Sequence, residues 1–201
     1  MLARLCIVLI CLSAVLFSGC QSSRKIETAQ IIENVTISEK DGQTLYTFYI
    51  LSSADTPLKT EIPADSFEQA CELAQNQYIP NITLSKLELL MIEDSVLEYT
   101  LKNDIEYISA QPFFSPVAYV TLCDKKTTEK FDEDTGVQDL IEEQLILLKN
   151  NNPEVSIDYL SVFNRFASGK TDDFTVGYVT CEDELKISER KIIKNNVKKF
   201  V

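Results

Sequence analysis

Apolar residues recur along this chain in two spacings, and the spacings alternate. Ile31, Ile32, Val35 and Ile37 predict a strand over 29–38. Asp41-Gly42 follows, a dipeptide suited to the left-handed backbone of a tight hairpin turn. Thr44 to Leu51, rich in β-branched and aromatic residues, should then pair back antiparallel. Residues 52–63 read as a loop, because Pro57 and Pro63 cannot donate to a ladder. The spacing then becomes three and four: Phe67, Ala70, Cys71, Ala74 and Tyr78 share one helical face. Asp65 or Ser66 can cap that helix, and Pro80 stops it.

Lys86 to Ile92 is almost continuously apolar, the mark of a strand covered on both faces. Asp94 or Ser95 should cap a second helix with the stripe Val96, Leu97, Leu101, Ile105 and Ile108. After Pro112 and Pro116, Val117 to Leu122 reads as another buried strand. Lys125 to Gly136 reads as an acidic loop before a helix over 137–149, whose apolar side is Val137, Leu140, Ile141, Leu145 and Leu148. A short helix over 157–167, ended by Gly169, and a strand over 174–181 complete the pattern. The lysine-rich stretch 186–201 is expected to be marginal in structure. The alternation predicts an α+β fold: a mixed or antiparallel sheet with helices packed on it in two layers.

The first twenty residues belong to a different regime. A basic start (Met1, Arg4), an apolar run from Leu5 to Phe17 and the exit Ser18-Gly19-Cys20 form a secretory signal. The run of 13 residues is short for a bilayer span, which takes about 20. The signal ends on a cysteine, and Leu16-Phe17-Ser18-Gly19-Cys20 resembles the lipobox of bacterial lipoproteins. That resemblance implies a diacylglyceryl group on the Cys20 thiol, cleavage between Gly19 and Cys20, and insertion of the lipid in a membrane. The small Ser18 and Gly19 permit close approach of a processing enzyme. An ordinary cleaved signal that happens to precede a cysteine is the alternative. Residues 21–25 (Gln-Ser-Ser-Arg-Lys) would serve as a polar tether.

Composition narrows the chemistry. With residues 1–19 removed, 18 basic residues face 31 acidic ones, a balance of −13 that argues against a nucleic-acid partner. The excess is uneven, since residues 186–201 hold six basic residues and one acidic one. Such a basic end suits anionic headgroups or an acidic partner, or is simply solvated. Histidine is absent, which excludes Ser-His-Asp and Cys-His catalysis and the usual zinc sites. Beyond Cys20, Cys71, Cys123 and Cys181 remain, either as buried thiols or with Cys123 and Cys181 bonded, since each ends a predicted strand. Asp132-Glu133-Asp134 lacks calcium-loop spacing, and Glu142-Glu143 are neighbours that cannot face each other. No catalytic, cofactor or metal residue is therefore expected; the one modification is the lipid on Cys20.

The order of parts is similar to the N-terminal domain of the Ger(x)C family of spore germination lipoproteins, the C subunits of germinant receptors. Cys20 to Ile26 keeps the family spacing from cysteine to isoleucine, without the family's Trp-Asp. Phe67-Glu68-Gln69-Ala70 resembles the family helix, Leu90-Met91-Ile92-Glu93 its apolar strand before glutamate, and Val117-Ala118-Tyr119-Val120 its closing strand. The resemblance covers Cys20 to Phe131. It implies a signal peptide over 1–19, a family-like domain over 20–131 and a helix-helix-strand extension with a basic tail over 132–201. It further implies a non-enzymatic, lipid-anchored subunit on the outer face of a cytoplasmic or inner spore membrane. Its partners would be membrane lipid and integral membrane receptor subunits. A free-standing surface lipoprotein that binds a small solute is the rival expectation.

Overall fold

The computed structural model describes residues 30–51, 58–78, 82–111, 114–133, 136–167, 173–182 and 184–192. Residues 1–29, with the signal, Gly19, Cys20 and the tether, lie outside them, as do Pro57, Pro80, Pro112, Gly169 and 193–201. Strands β1 (Gln30–Lys40) and β2 (Gln43–Ile50) form the expected hairpin. Its turn places Asp41 at φ 54° and Gly42 at φ 78°, the left-handed backbone that a two-residue hairpin requires.

Strand β3 (Leu58–Pro63) pairs antiparallel with β2 from Leu58 opposite Ile50 to Pro63 opposite Leu45. This corrects the loop expected there. The segment is a sheet edge and Pro63 its last residue, the places where proline is tolerated in a strand. Helix α1 (Phe67–Gln77) follows, with Ser66 as N-cap accepting from the Gln69 amide at 3.2 Å. It buries Phe67, Ala70, Cys71 and Ala74, whereas Tyr78 falls beyond its end and is exposed. The short β4 (Ile82–Thr83) pairs parallel with the start of β1.

Strand β5 (Leu89–Glu93) leads through a 3-10 turn (Asp94–Val96) into α2 (Leu97–Asn103) and α3 (Ile105–Ala110). The single helix expected here is thus two, divided at Asp104, and neither Asp94 nor Ser95 supplies a side-chain cap. Strand β6 (Tyr119–Cys123) comes next; Val117, expected inside it, precedes it and is 74% exposed. The acidic loop expected after β6 is a helix, α4 (Lys125–Glu133). Asp124 binds the Thr127 amide at 2.9 Å, as an N-cap does, and Phe131 anchors the helix in the core. Helices α5 (Gly136–Asn151) and α6 (Tyr159–Ala167) precede β7 (Phe174–Cys181). The stretch expected to be marginal is corrected over its first part: it forms the edge strand β8 (Leu185–Ile192), paired antiparallel along all of β7, whose ladder supplies the bonds its charged sequence does not announce.

The strands make one mixed eight-stranded sheet in the order β3-β2-β1-β5-β6-β7-β8, with β4 beside β1. The central strands β1, β5, β6 and β7 are parallel and the flanking ones antiparallel. Position 131/132, where the sequence reading divides the chain, falls within α4, and β7 and β8 continue the same sheet.

The fold is α+β, but its layers number three rather than two. Alternate residues of β2, β5, β6 and β7 enter two separate cores, and β1 adds to the first. Val35, Phe48, Leu90, Val120 and Val176 join residues of α1, α3 and α6 on the first face. Tyr49, Leu89, Met91, Cys123 and Val179 join Phe131 of α4 and Val137, Ile141 and Leu145 of α5 on the second. Strands apolar at successive positions must be covered on both sides, so the continuous runs in β5 and β6 demand a third layer.

Candidate functional site

Gly19 and Cys20, the only site residues expected from the sequence, lie outside the described residues. Nine residues separate Cys20 from Gln30, ten steps along the chain and so a reach of at most about 36 Å. Gln30 opens β1 at the edge where the parallel strands begin.

Cys71, Cys123 and Cys181 are free thiols, so the bond considered between Cys123 and Cys181 is not formed. The register explains it: Cys123 lies opposite Val179, and Cys181 opposite Leu185 at the mouth of the last hairpin. Burial, with Asp104 nearby, pushes the Cys71 thiol up to about 12, and complete burial raises Cys123 well above its ordinary value. Neither is a thiolate near neutral pH, which removes both as nucleophiles. Asp132 accepts from the Tyr49 hydroxyl and from Lys59 (3.0 Å), so it ties α4 to β2 and β3.

Three polar groupings went unpredicted. The first centres on Asp104, fully buried at the division between α2 and α3. Its carboxylate accepts from the Tyr46 hydroxyl at 2.8 Å and from the Phe67 amide, the first of α1, at 2.9 Å. Burial raises its pKa, while those two bonds oppose the shift. Tyr46 in turn is raised by burial and by Asp104. The sequence signal was available, since an aspartate inside an apolar helical stripe demands a partner.

The second lies under α5. Gln138 donates to Glu88 and Glu142, both at 3.0 Å, and accepts from Asn34 at 2.5 Å. Those carboxylates fix the orientation of both amides and leave Asn34 Oδ1 without a hydrogen-bond partner. Glu33 sits beside them because the β1–β2 register shifts between Ile32 and Asn34, placing Glu33 in a bulge. Burial, then Glu88, Glu142 and Asp139, raise its pKa.

The third joins β5 to the far edge of the sheet. Asp94 accepts from Tyr178 (3.0 Å) and Arg190, whose guanidinium also lies 4.7 Å from the centre of the Tyr178 ring. These contacts join residues 84 and 96 positions apart, which is why local patterns did not announce them.

A cavity of about 360 Å³ opens beside the first hairpin and the start of α1. It is lined by Gly42, Gln43, Thr44, Asp65, Gln69 and Tyr99, with Pro63 and Ala64. Among the described residues, no group of three acidic or cysteine side chains is placed to hold a metal ion, and no helix is long and apolar enough to cross a membrane. Compared with known protein families, curated protein sequences and solved structures, the chain matches none.

Proposed function

We propose that this chain is a lipid-anchored, non-enzymatic subunit of a spore germinant receptor. A diacylglyceryl group on Cys20 would hold it on the outer face of the cytoplasmic or inner spore membrane. It would work by contact with integral membrane subunits, which anchoring brings to high effective concentration. The observation that carries this reading is the lipobox-like Leu16–Cys20, followed at family spacing by Ile26 and then by the family-like stretches in order. In support, those stretches occupy α1, β5 and the approach to β6, three parts of one continuous sheet-and-helix unit. Asp104, Asp94 and Gln138 are further support, because each joins separate elements, as befits a body that binds through its surface.

Co-purification in mild detergent tests it: integral membrane receptor subunits should come down with the wild-type chain and not with Cys20→Ser. Mass measurement should find the diacylglyceryl adduct on Cys20. A bare Cys20 in a membrane-extracted chain contradicts the anchor. The cavity beside the first hairpin favours a second reading, a surface lipoprotein that takes a small polar solute there. Native mass spectrometry decides it, since that reading requires a bound molecule lost on Gln69→Leu.

A further inference from the structure

We propose that the edge of the sheet where the parallel strands begin lies against the bilayer surface, as a second membrane contact besides the lipid. The inference rests on the anchor reading for the lipid, and on the fold for the face.

Strands β1, β5, β6 and β7 all start at this edge, and β2 and β8 end there, Ile50 opposite Ile32 and Ile192 opposite Phe174. Exposed large hydrophobics collect along it. Leu51 follows the end of β2, and Leu58 opens β3 opposite Ile50. Tyr78 follows the last residue of α1, shortly before β4, which pairs with the start of β1. Val117 precedes β6, and Leu160 lies in the first turn of α6, next to the Tyr159 amide that binds the Ala118 carbonyl at 2.8 Å. These five are 50–74% exposed. At the opposite edge the hairpin tip carries exposed Glu39, Lys40 and Asp41 instead. Single exposed apolar residues are ordinary on a soluble domain, but a row of them along one edge marks a contact surface.

Two features make lipid the occupant. Gln30, where β1 begins, lies at this edge, and the ten steps from Cys20 limit its distance from the lipid-bearing residue to about 36 Å. Strand β8 also ends at this edge with Ile192, and Lys194, Lys198 and Lys199 follow it in sequence, residue types that suit anionic headgroups. The edge's carboxylates are partly engaged: Asp173 pairs with Lys191 at 2.7 Å, and Glu88 is bonded to Gln138 of α5.

Hydrogen exchange on the full chain tests this in two forms. The lipidated protein, with Cys20 checked by mass, is compared in detergent and in vesicles of phosphatidylcholine and phosphatidylglycerol. The full-length Cys20→Ser chain is mixed with the same vesicles at high lipid concentration. Amides at 114–118 and 159–161 should exchange several-fold more slowly on lipid in both forms, with no change at 41–44. The double variant Val117→Asp/Leu160→Asp should lose that protection and bind the vesicles less, while its circular dichroism stays that of wild type. Lipid present on Cys20 with exchange at this edge unchanged overturns the inference and leaves the anchor standing. A bare Cys20 overturns the anchor, and the Cys20→Ser arm then decides the edge alone. Protection on α5 around Leu140 and Leu147, or at the hairpin tip, or arising only when a second copy binds, overturns the edge as a lipid contact.

Discussion

The two faces of the sheet are built from the same strands and differ in kind. On the first face, α1, α3 and α6 close over a core organised by Phe67. Its ring meets Tyr46 edge-on at 5.8 Å, Phe48 at 5.7 Å and Tyr107 at 6.3 Å. A buried carboxylate, Asp104, is satisfied there by Tyr46 and Phe67. On the second face, α4 and α5 cover a smaller apolar cluster interrupted by buried Asn34, Thr121, Thr127 and Gln138. The difference assigns roles: the first face carries most of the stability, and the second trades apolar contact for polar bonds that set where α5 lies.

The largest test of that contrast compares its two aromatic anchors. Phe67 and Phe131 are both fully buried. Phe67→Ala should cost about 4–5 kcal/mol and Phe131→Ala about 3 kcal/mol, read as urea midpoints with a constant slope. The same cost for both would remove the asymmetry. Asp104→Ala comes next, at about 2–4 kcal/mol, because it strands the Phe67 amide and the Tyr46 hydroxyl in the core. Asp104→Asn retains one acceptor and should lose less. If the two variants lose equally, the bond to the Phe67 amide is not what matters.

The first face was largely legible in the sequence, and the second only in part. Phe67, Ala70, Cys71 and Ala74 announced α1 by spacing alone, and Asp41-Gly42 announced the hairpin by its backbone demand. The run Leu89–Ile92 even implied cover on both sides. What supplies the second cover was half hidden: α5 was announced over 137–149 by Val137, Ile141 and Leu145, but α4 reads as Lys-Lys-Thr-Thr-Glu-Lys-Phe-Asp-Glu, with one large apolar side chain, so periodicity saw a loop. Its buried threonines are held by bonds to Asp124 and to the Val179 and Lys125 carbonyls, contacts that hydrophobic spacing does not register. Strand β8 was obscured in the same way, since an edge strand with charged outward positions resembles a solvated tail. Cys20, on which the proposed function turns, rests on the apolar run and Leu16–Gly19 before it and lies outside the described fold.

Gly177 gives a test confined to the second face. A Cβ there would come within 2.5 Å of a Leu145 methyl and 3.8 Å of a Leu148 methyl, so α5 approaches β7 because that position has no side chain. Gly177→Val should cost about 1–3 kcal/mol through overpacking, and Gly177→Val with Leu145→Ala should recover part of it. No recovery would mean that the strand, not α5, resists the added side chain.

The smallest effect tests the polar character of the second face directly. Burial and the neighbouring carboxylates raise Glu33 and Glu142 above their ordinary value of 4.5. A carboxyl group raised on folding binds its proton more tightly in the folded chain than in the unfolded one. Its ionised form therefore destabilises the fold at neutral pH, and that penalty disappears as pH falls through the raised folded value toward 4.5. Glu61, lowered chiefly by its bond to Lys40, works in the opposite sense, but its contribution is lost only as pH falls below 4.5. Between about pH 7 and 5 the raised groups dominate, and stability should rise on mild acidification. Glu142→Gln removes one of the repelling charges, so it should stabilise the chain at pH 7 by a few tenths of a kcal/mol and flatten the rise. Asp104, also raised, titrates in both proteins, so the difference between the two urea-midpoint profiles isolates the cluster under α5. Parallel profiles for Glu142→Gln and wild type would show that Gln138 alone offsets the repulsion.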